Sequence, residues 1–227
     1  MKRKEPFVIG EYYHIYNRGI DKRIIFLDTQ DYRRFVQLLY VANSTNSFEL
    51  GNFFINNKKT FEDLFHIERG EPLVAIGAWA LMPNHFHLVV RECTEGGITT
   101  FMKKLGTAYS MYFNIKYKRT GSLFGGLFKS KHIETDIYLQ HLFGYVHLNA
   151  LDLMDSYWES SITESLPSMW MSFLTKYSYS SFHEYNTTEA RLESNILDKE
   201  KFPEYFADTH SFENFVTNYL MYREELT

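Results

Sequence analysis

The period of the hydrophobic positions changes along the chain, and each change marks an element. Tyr12 to Asn17 alternates and is rich in β-prone residues, which predicts a first strand ended by Arg18-Gly19. Asp28 to Asp31 offers helix caps. Tyr32, Phe35, Leu38 and Leu39 then recur at helical spacing, so a helix should run to about Asn43. Residues 44–71 are rich in Asn, Ser and charge and read as an irregular insertion. Leu73 to Leu81 is a continuous apolar run, fit for a central strand. Met82-Pro83-Asn84 interrupts it, and Phe86 to Arg91 predicts a second strand alongside. After Gly96-Gly97, Thr99 to Tyr117 reads as a long helix with Phe101, Leu105, Ala108, Met111, Tyr112 and Ile115 on its apolar side. A turn at Gly121 to Gly126 precedes a short strand, Phe128 to Glu134. Thr135 then caps a helix from Asp136 to about Asn149. Past Ser160 the pattern is helical and peripheral. The order strand, helix, two strands, helix, strand, helix predicts an α+β fold, with helices on a mostly antiparallel sheet.

Composition narrows the function classes. The 227 residues are 44% hydrophobic, enough for a core, yet no stretch is long enough to span a membrane. Met1 to Pro6 is charged with no apolar run behind it, which argues against a secretory leader. The single cysteine, Cys93, excludes an internal disulfide and a cysteine zinc site, and a reducing cytoplasm is the expected compartment. The net charge of −4 speaks against a nucleic-acid partner only as an average. From residue 101 to 132 there is no Asp or Glu, while Lys103, Lys104, Lys116, Lys118, Arg119, Lys129 and Lys131 are all basic. From 183 to 227 ten acids face four bases, so this tail carries −6 and residues 1–182 carry +2. A basic run is as often a solvated surface as a DNA contact.

Two groups carry candidate chemistry. In His85-Phe86-His87 the strand period of two sends both imidazoles to one face, where they could share a metal ion. Most His-x-His pairs are merely surface or hydrogen-bonded histidines. This one sits in the most apolar strand signal of the chain, where polar residues need a reason. In Tyr145-Val146-His147-Leu148-Asn149, four helical residues turn through about 400°, leaving Tyr145 and Asn149 on one face. The Asn149 amide could be a third ligand with Tyr145 a turn away. His141 shares that face, whereas His147 points elsewhere and is not expected to be a ligand. Spacing alone also suits ordinary packing, since the chain has 17 tyrosines. Tyr109, Tyr112, Phe113 and Tyr117 could stack on bases, but helix aromatics more often face a core.

Met82-Pro83-Asn84-His85-Phe86-His87-Leu88-Val89-Val90 resembles the HUH motif of single-tyrosine transposases, the REP-associated tyrosine transposases in particular. Tyr13-His14-Ile15-Tyr16-Asn17-Arg18-Gly19, with Ile25-Phe26-Leu27-Asp28 and Asp31-Tyr32-Arg33-Arg34-Phe35, is similar to that family's opening strand and helix. Gly121-Ser122-Leu123-Phe124 with Gly126-Leu127-Phe128-Lys129-Ser130, then Asp136 to Asn149 and Tyr177-Ser178-Tyr179-Ser180-Ser181, resemble its later segments. The likeness spans residues 7–182, a transposase domain of residues 1–182, and leaves out the insertion and the acidic 183–227 extension. Family members often have Asn-Pro where Asn149-Ala150 stands here.

The resemblance implies a ferredoxin-like HUH nuclease fold. It implies a Mg²⁺ or Mn²⁺ ion on His85, His87 and Asn149, with Tyr145 as nucleophile, acting on single-stranded or hairpin DNA. The basic residues of 101–132 would then follow the DNA backbone. Cleavage and rejoining would pass through a 5′-phosphotyrosine on Tyr145. Two other classes remain: a domesticated DNA-binding protein that does not cut, and a metal-dependent hydrolase with no covalent step. The sequence leaves open whether the protein is a monomer or a homodimer.

Overall fold

The computed structural model describes residues 6–46, 60, 62–67, 69–154 and 167–222. Most of the insertion read over 44–71 lies outside them. Four strands form one sheet: β1 (Tyr12–Arg18), β2 (Val74–Met82), β3 (His85–Glu92) and β4 (Lys129–Ile133). Their spatial order is β2-β3-β1-β4, and every pairing is antiparallel. With α1 (Thr29–Val41) between β1 and β2, and α2 (Gly97–Lys116) between β3 and β4, this is the β-α-β-β-α-β ferredoxin-like arrangement. The expected α+β fold is borne out. Among the described residues no helix is long and apolar enough to cross a membrane.

Helix ends follow local chemistry. Asp28 caps α1 by accepting from the Asp31 amide, and Asp31 returns the bond, a reciprocal capping box. Thr135 caps α3 (Asp136–Leu148) by accepting from the Tyr138 amide. β1 was expected to end at Asn17 and runs one residue further, to Arg18.

The two sheet faces have different fates. Tyr13 and Ile15 of β1, Trp79 and Leu81 of β2, and Phe86, Leu88 and Val90 of β3 pack with α1 and α2 into the main core. Helix α2 buries Phe101, Met102, Leu105, Tyr109 and Phe113, but Met111 is 59% exposed and Ile115 76%. Both had been placed on the apolar side. The helix is apolar over more than half its circumference, so spacing alone could not choose the buried stripe. Its aromatics have structural roles: Tyr109 and Phe113 are core, and Tyr112 and Tyr117 donate to the buried Asp31.

The opposite face is split. At one end Ala78, Ala80, Val89 and Ile133 receive Leu139, Leu142, Phe143 and Val146 of α3. At the other end it is polar. The segment after α3 also engages the sheet. The Leu81 amide donates to the Tyr179 carbonyl and the Ser181 amide to that of Trp79, which covers the outer edge of β2. Helices α4 (Pro167–Lys176), α5 (Phe182–Asn186) and α6 (Thr209–Tyr222) build a second apolar cluster with the end of α3, around Trp170, Leu174, Phe182, Phe212 and Val216. Helix α3 therefore lies between the sheet and the acidic tail.

Candidate metal and nucleophile site

Register sets the floor of the site. Tyr16 pairs with His87 and Arg18 with His85 across β1 and β3, while Tyr16 pairs with Lys129 and His14 with Lys131 across β1 and β4. Paired residues share a face, so His14, Tyr16, Arg18, His85, His87, Lys129 and Lys131 form one polar patch. The end of α3 stands over it. The Tyr145 ring lies 5.5 Å from that of His87 and 5.9 Å from that of His14, edge-on to both. The His85 and His87 rings are 5.0 Å apart, and the Asn149 side chain lies beside His85. The structure thus brings His85, His87, Asn149 and Tyr145 together.

The histidines are held neutral. Burial, helped by the Arg18 charge, pulls His85 down to about 4. Burial and the Lys131 charge pull His14 to about 4. Burial, then the charges of His14, His85 and Arg18, holds His87 well below its ordinary value. A neutral imidazole offers a lone pair, the state a metal ligand needs. Each ring also has a partner at Nδ1: Asn84 Oδ1 lies 2.6 Å from His85 Nδ1, and His14 Nε2 lies 2.8 Å from His87 Nδ1. Such outer contacts accompany metal-binding histidines and leave Nε2 for the ion. Two neutral imidazoles and an amide oxygen suit a divalent transition ion such as Mn²⁺ and admit Mg²⁺ with added water. Among the described residues no group of three or more His, Cys, Asp or Glu is placed to hold a metal.

The basic residues separate into two sets. Lys129 and Lys131 lie on the site's own face, exposed. Lys116 does not serve it: its Nζ lies 2.7 Å from Asp28 and 2.8 Å from Asp31. Lys104 donates to the Ser44 and Asn46 carbonyls, and Arg119 to Asn114 and the Ser122 carbonyl. Lys103 and Lys118, on and just after α2, are likewise not among the residues the sheet register brings to the patch. His147 is fully buried with Nε2 2.7 Å from Ser181 Oγ, in keeping with a core role.

Sequence reasoning passed over His14, Tyr16, Arg18 and Asn84. The alternation of β1 held the signal for three of them. His14, Tyr16 and Arg18 occupy one face and Tyr13 and Ile15 the other, so an apolar face implied a polar one behind it.

Residues 52–149 match the family model described as "Transposase IS200 like". That stretch, which holds His85, His87, Tyr145 and Asn149, is similar to IS200-like transposases, and the resemblance read in the motifs is borne out. Among solved structures, the one described as "Structure of the REP associates tyrosine transposase bound to a REP hairpin" is similar over 82% of this chain and 84% of that chain, with 13% identity and a TM-score of 0.44. No curated protein matches the chain.

Proposed function

We propose that the protein is a transposase that cuts and rejoins single-stranded DNA with Tyr145 as nucleophile. One observation carries this: Tyr145 of α3 and Asn149 at its C-terminal cap meet His85 and His87 of β3 on one polar patch, inside the stretch matched by the transposase family model.

A divalent ion, Mg²⁺ or Mn²⁺, held by His85, His87 and Asn149 would polarise the scissile phosphate as a Lewis acid. The protein's own groups do the rest. Arg18, Lys129 and Lys131 bind flanking phosphates at the rim. Tyr145 attacks phosphorus: its Oη–P bond forms as the bond from phosphorus to the 3′ oxygen breaks. The phenol loses its proton and the departing 3′ oxygen gains one, so no net proton is consumed. The DNA 5′ end is left on Tyr145. The phosphodiester energy is conserved in that ester, and reversal by a 3′-hydroxyl rejoins a strand without ATP. Packing against the sheet on one side and the tail on the other holds α3 in place, which matters where a misplacement of about 1 Å can cost roughly a hundredfold in rate.

The test is incubation of the purified protein with labelled single strands and hairpins from the DNA flanking its gene. Mn²⁺ or Mg²⁺ is supplied, with EDTA controls. Cleavage that needs the ion supports the proposal. Binding without cleavage on every strand and ion tried favours a domesticated hairpin-binding protein.

A further inference from the structure

A neutral imidazole has one proton for two ring nitrogens, and a metal ligand must present the bare one. Something has to choose which nitrogen that is. For His85 the structure contains a chain of contacts that makes the choice.

The chain starts at a backbone carbonyl. The oxygen of Lys22 lies 3.2 Å from Nδ2 of Asn84. The two ends of an amide are told apart by their partners, and a carbonyl can only accept. The end of Asn84 facing Lys22 is therefore its NH₂ group, and its oxygen faces the other way. That oxygen lies 2.6 Å from Nδ1 of His85. An oxygen that can only accept requires the proton on Nδ1, so in the neutral ring Nε2 is bare. Asn149 also lies beside His85, and its Nδ2 donates to the Tyr145 carbonyl at 2.7 Å. The amide oxygen of Asn149 is thus left to face His85. With Nδ1 occupied by Asn84, the bare Nε2 of His85 and the Asn149 oxygen are both lone-pair acceptors, a donor set that suits a cation.

The start of the chain is itself fixed. Asp21 and Lys22 have φ of 53° and 59°, a left-handed pair that costs energy in non-glycine residues. The loop they form is strapped to the turn that carries Asn84. The Gly19 amide donates to the Asn84 carbonyl at 2.8 Å, and the Ile25 and Phe26 amides donate to that of Pro83 at 2.8 and 3.1 Å. A β-carbon on Gly19 would come within 2.2 Å of the Arg23 carbonyl oxygen, so the loop closes this tightly only with glycine there.

We propose that Asn84, oriented by the Lys22 carbonyl, is a positioning residue that locks His85 in the Nδ1-protonated tautomer and so presents Nε2 to a divalent cation. This rests on His85 being a ligand in the reaction proposed above. Asn84 itself touches neither the ion nor the DNA.

The test uses full-length, metal-free protein and no DNA. Long-range ¹⁵N–¹H correlation of the histidine rings reads the tautomer at neutral pH, and Mn²⁺ titration followed by electron paramagnetic resonance reads the site. Wild type should show His85 protonated at Nδ1. Asn84→Ala should lose that preference and bind Mn²⁺ about 10- to 100-fold more weakly, with its melting curve as a check of folding. Asn84→Asp keeps an acceptor and should keep the Nδ1 proton. His85 protonated at Nε2 in wild type, or an Asn84→Ala protein unchanged in tautomer and Mn²⁺ affinity, overturns the assignment. The two proposals fail separately. DNA cleavage by a wild type with no such tautomer sinks the lock alone. A lock with intact Mn²⁺ binding and no cleavage sinks the reaction alone.

Discussion

The ring of Tyr219 lies so close to Gly144 that a β-carbon there would come within 2.6 Å of it. Gly144 directly precedes the proposed nucleophile, and the Tyr219 hydroxyl lies 3.1 Å from Nε2 of His141 one turn earlier. The acidic tail thus bears on the tyrosine helix at close range. Gly144→Ala should destabilise the protein by ~1–3 kcal/mol, as overpacking does. Adding Tyr219→Ala should give less than the sum of the two single losses, because the second change removes the clash. Additive losses in denaturant melts would show that the two residues do not meet.

Lysines on the patch and lysines off it should behave differently toward DNA. Lys129→Ala and Lys131→Ala should each lower the salt dependence of single-strand binding by about 0.7 in the log–log slope, the share of one phosphate contact. Lys116 is committed to Asp28 and Asp31. Lys116→Ala should leave that slope alone and cost stability, ~1–3 kcal/mol, by leaving the buried Asp31 less well paired. A slope that moves with Lys116 and not with Lys131 would relocate the DNA path onto α2.

Acid should weaken the metal-free fold before it reaches the carboxylates. His14 and His85 are pulled from 6.5 to about 4, His147 to about 3, and His87 well below 6.5, each chiefly by burial. Between those values and 6.5 the unfolded chain binds protons that the folded chain refuses. The stabilisation is therefore whole above pH 6.5 and drains away as pH falls toward 4, at about 1.4 kcal/mol per pH unit for each histidine involved. Urea melts in EDTA at neutral pH and near pH 5 check this. A midpoint that does not move would mean that the imidazoles are protonated in the folded state.

Much of the fold was written in local pattern. The alternation of β1, the apolar run of β2 and the paired histidines of β3 each need only a few neighbouring residues to be recognised. The pairing of His85 and His87 with Tyr145 and Asn149 came from periodicity joined to a family likeness. What local pattern could not carry was contact at long range. His14 meets His87 across 73 positions, and Asn84 meets the Lys22 carbonyl across 62. Neither is visible until strands are in register. The same holds for the second core, where Trp170, Phe182 and Phe212 gather round the end of α3. The commitment of Lys116 to Asp28 and Asp31 also defeated a count of charges, because a run of bases does not reveal which are already neutralised.

Cys93 is half-buried beside β3 and takes no part in the patch, and burial raises its thiol pKa. Cys93→Ser should cleave DNA like wild type. His87→Ala should lose ion-dependent cleavage and weaken Mn²⁺ binding. Cleavage abolished in Cys93→Ser and kept in His87→Ala would point to a different catalytic centre.

The most direct test of the central claim is the covalent intermediate. Labelled single strands from the flanking DNA are incubated with wild type or Tyr145→Phe and with Mn²⁺, and the products are separated on a denaturing gel. A nucleophilic Tyr145 should give a protein–DNA adduct that requires the ion and is absent in Tyr145→Phe, although that variant binds the strand as tightly as wild type. Cleavage by Tyr145→Phe at the wild-type rate, with no adduct in either protein, would contradict it and leave a metal-dependent hydrolase without a covalent step.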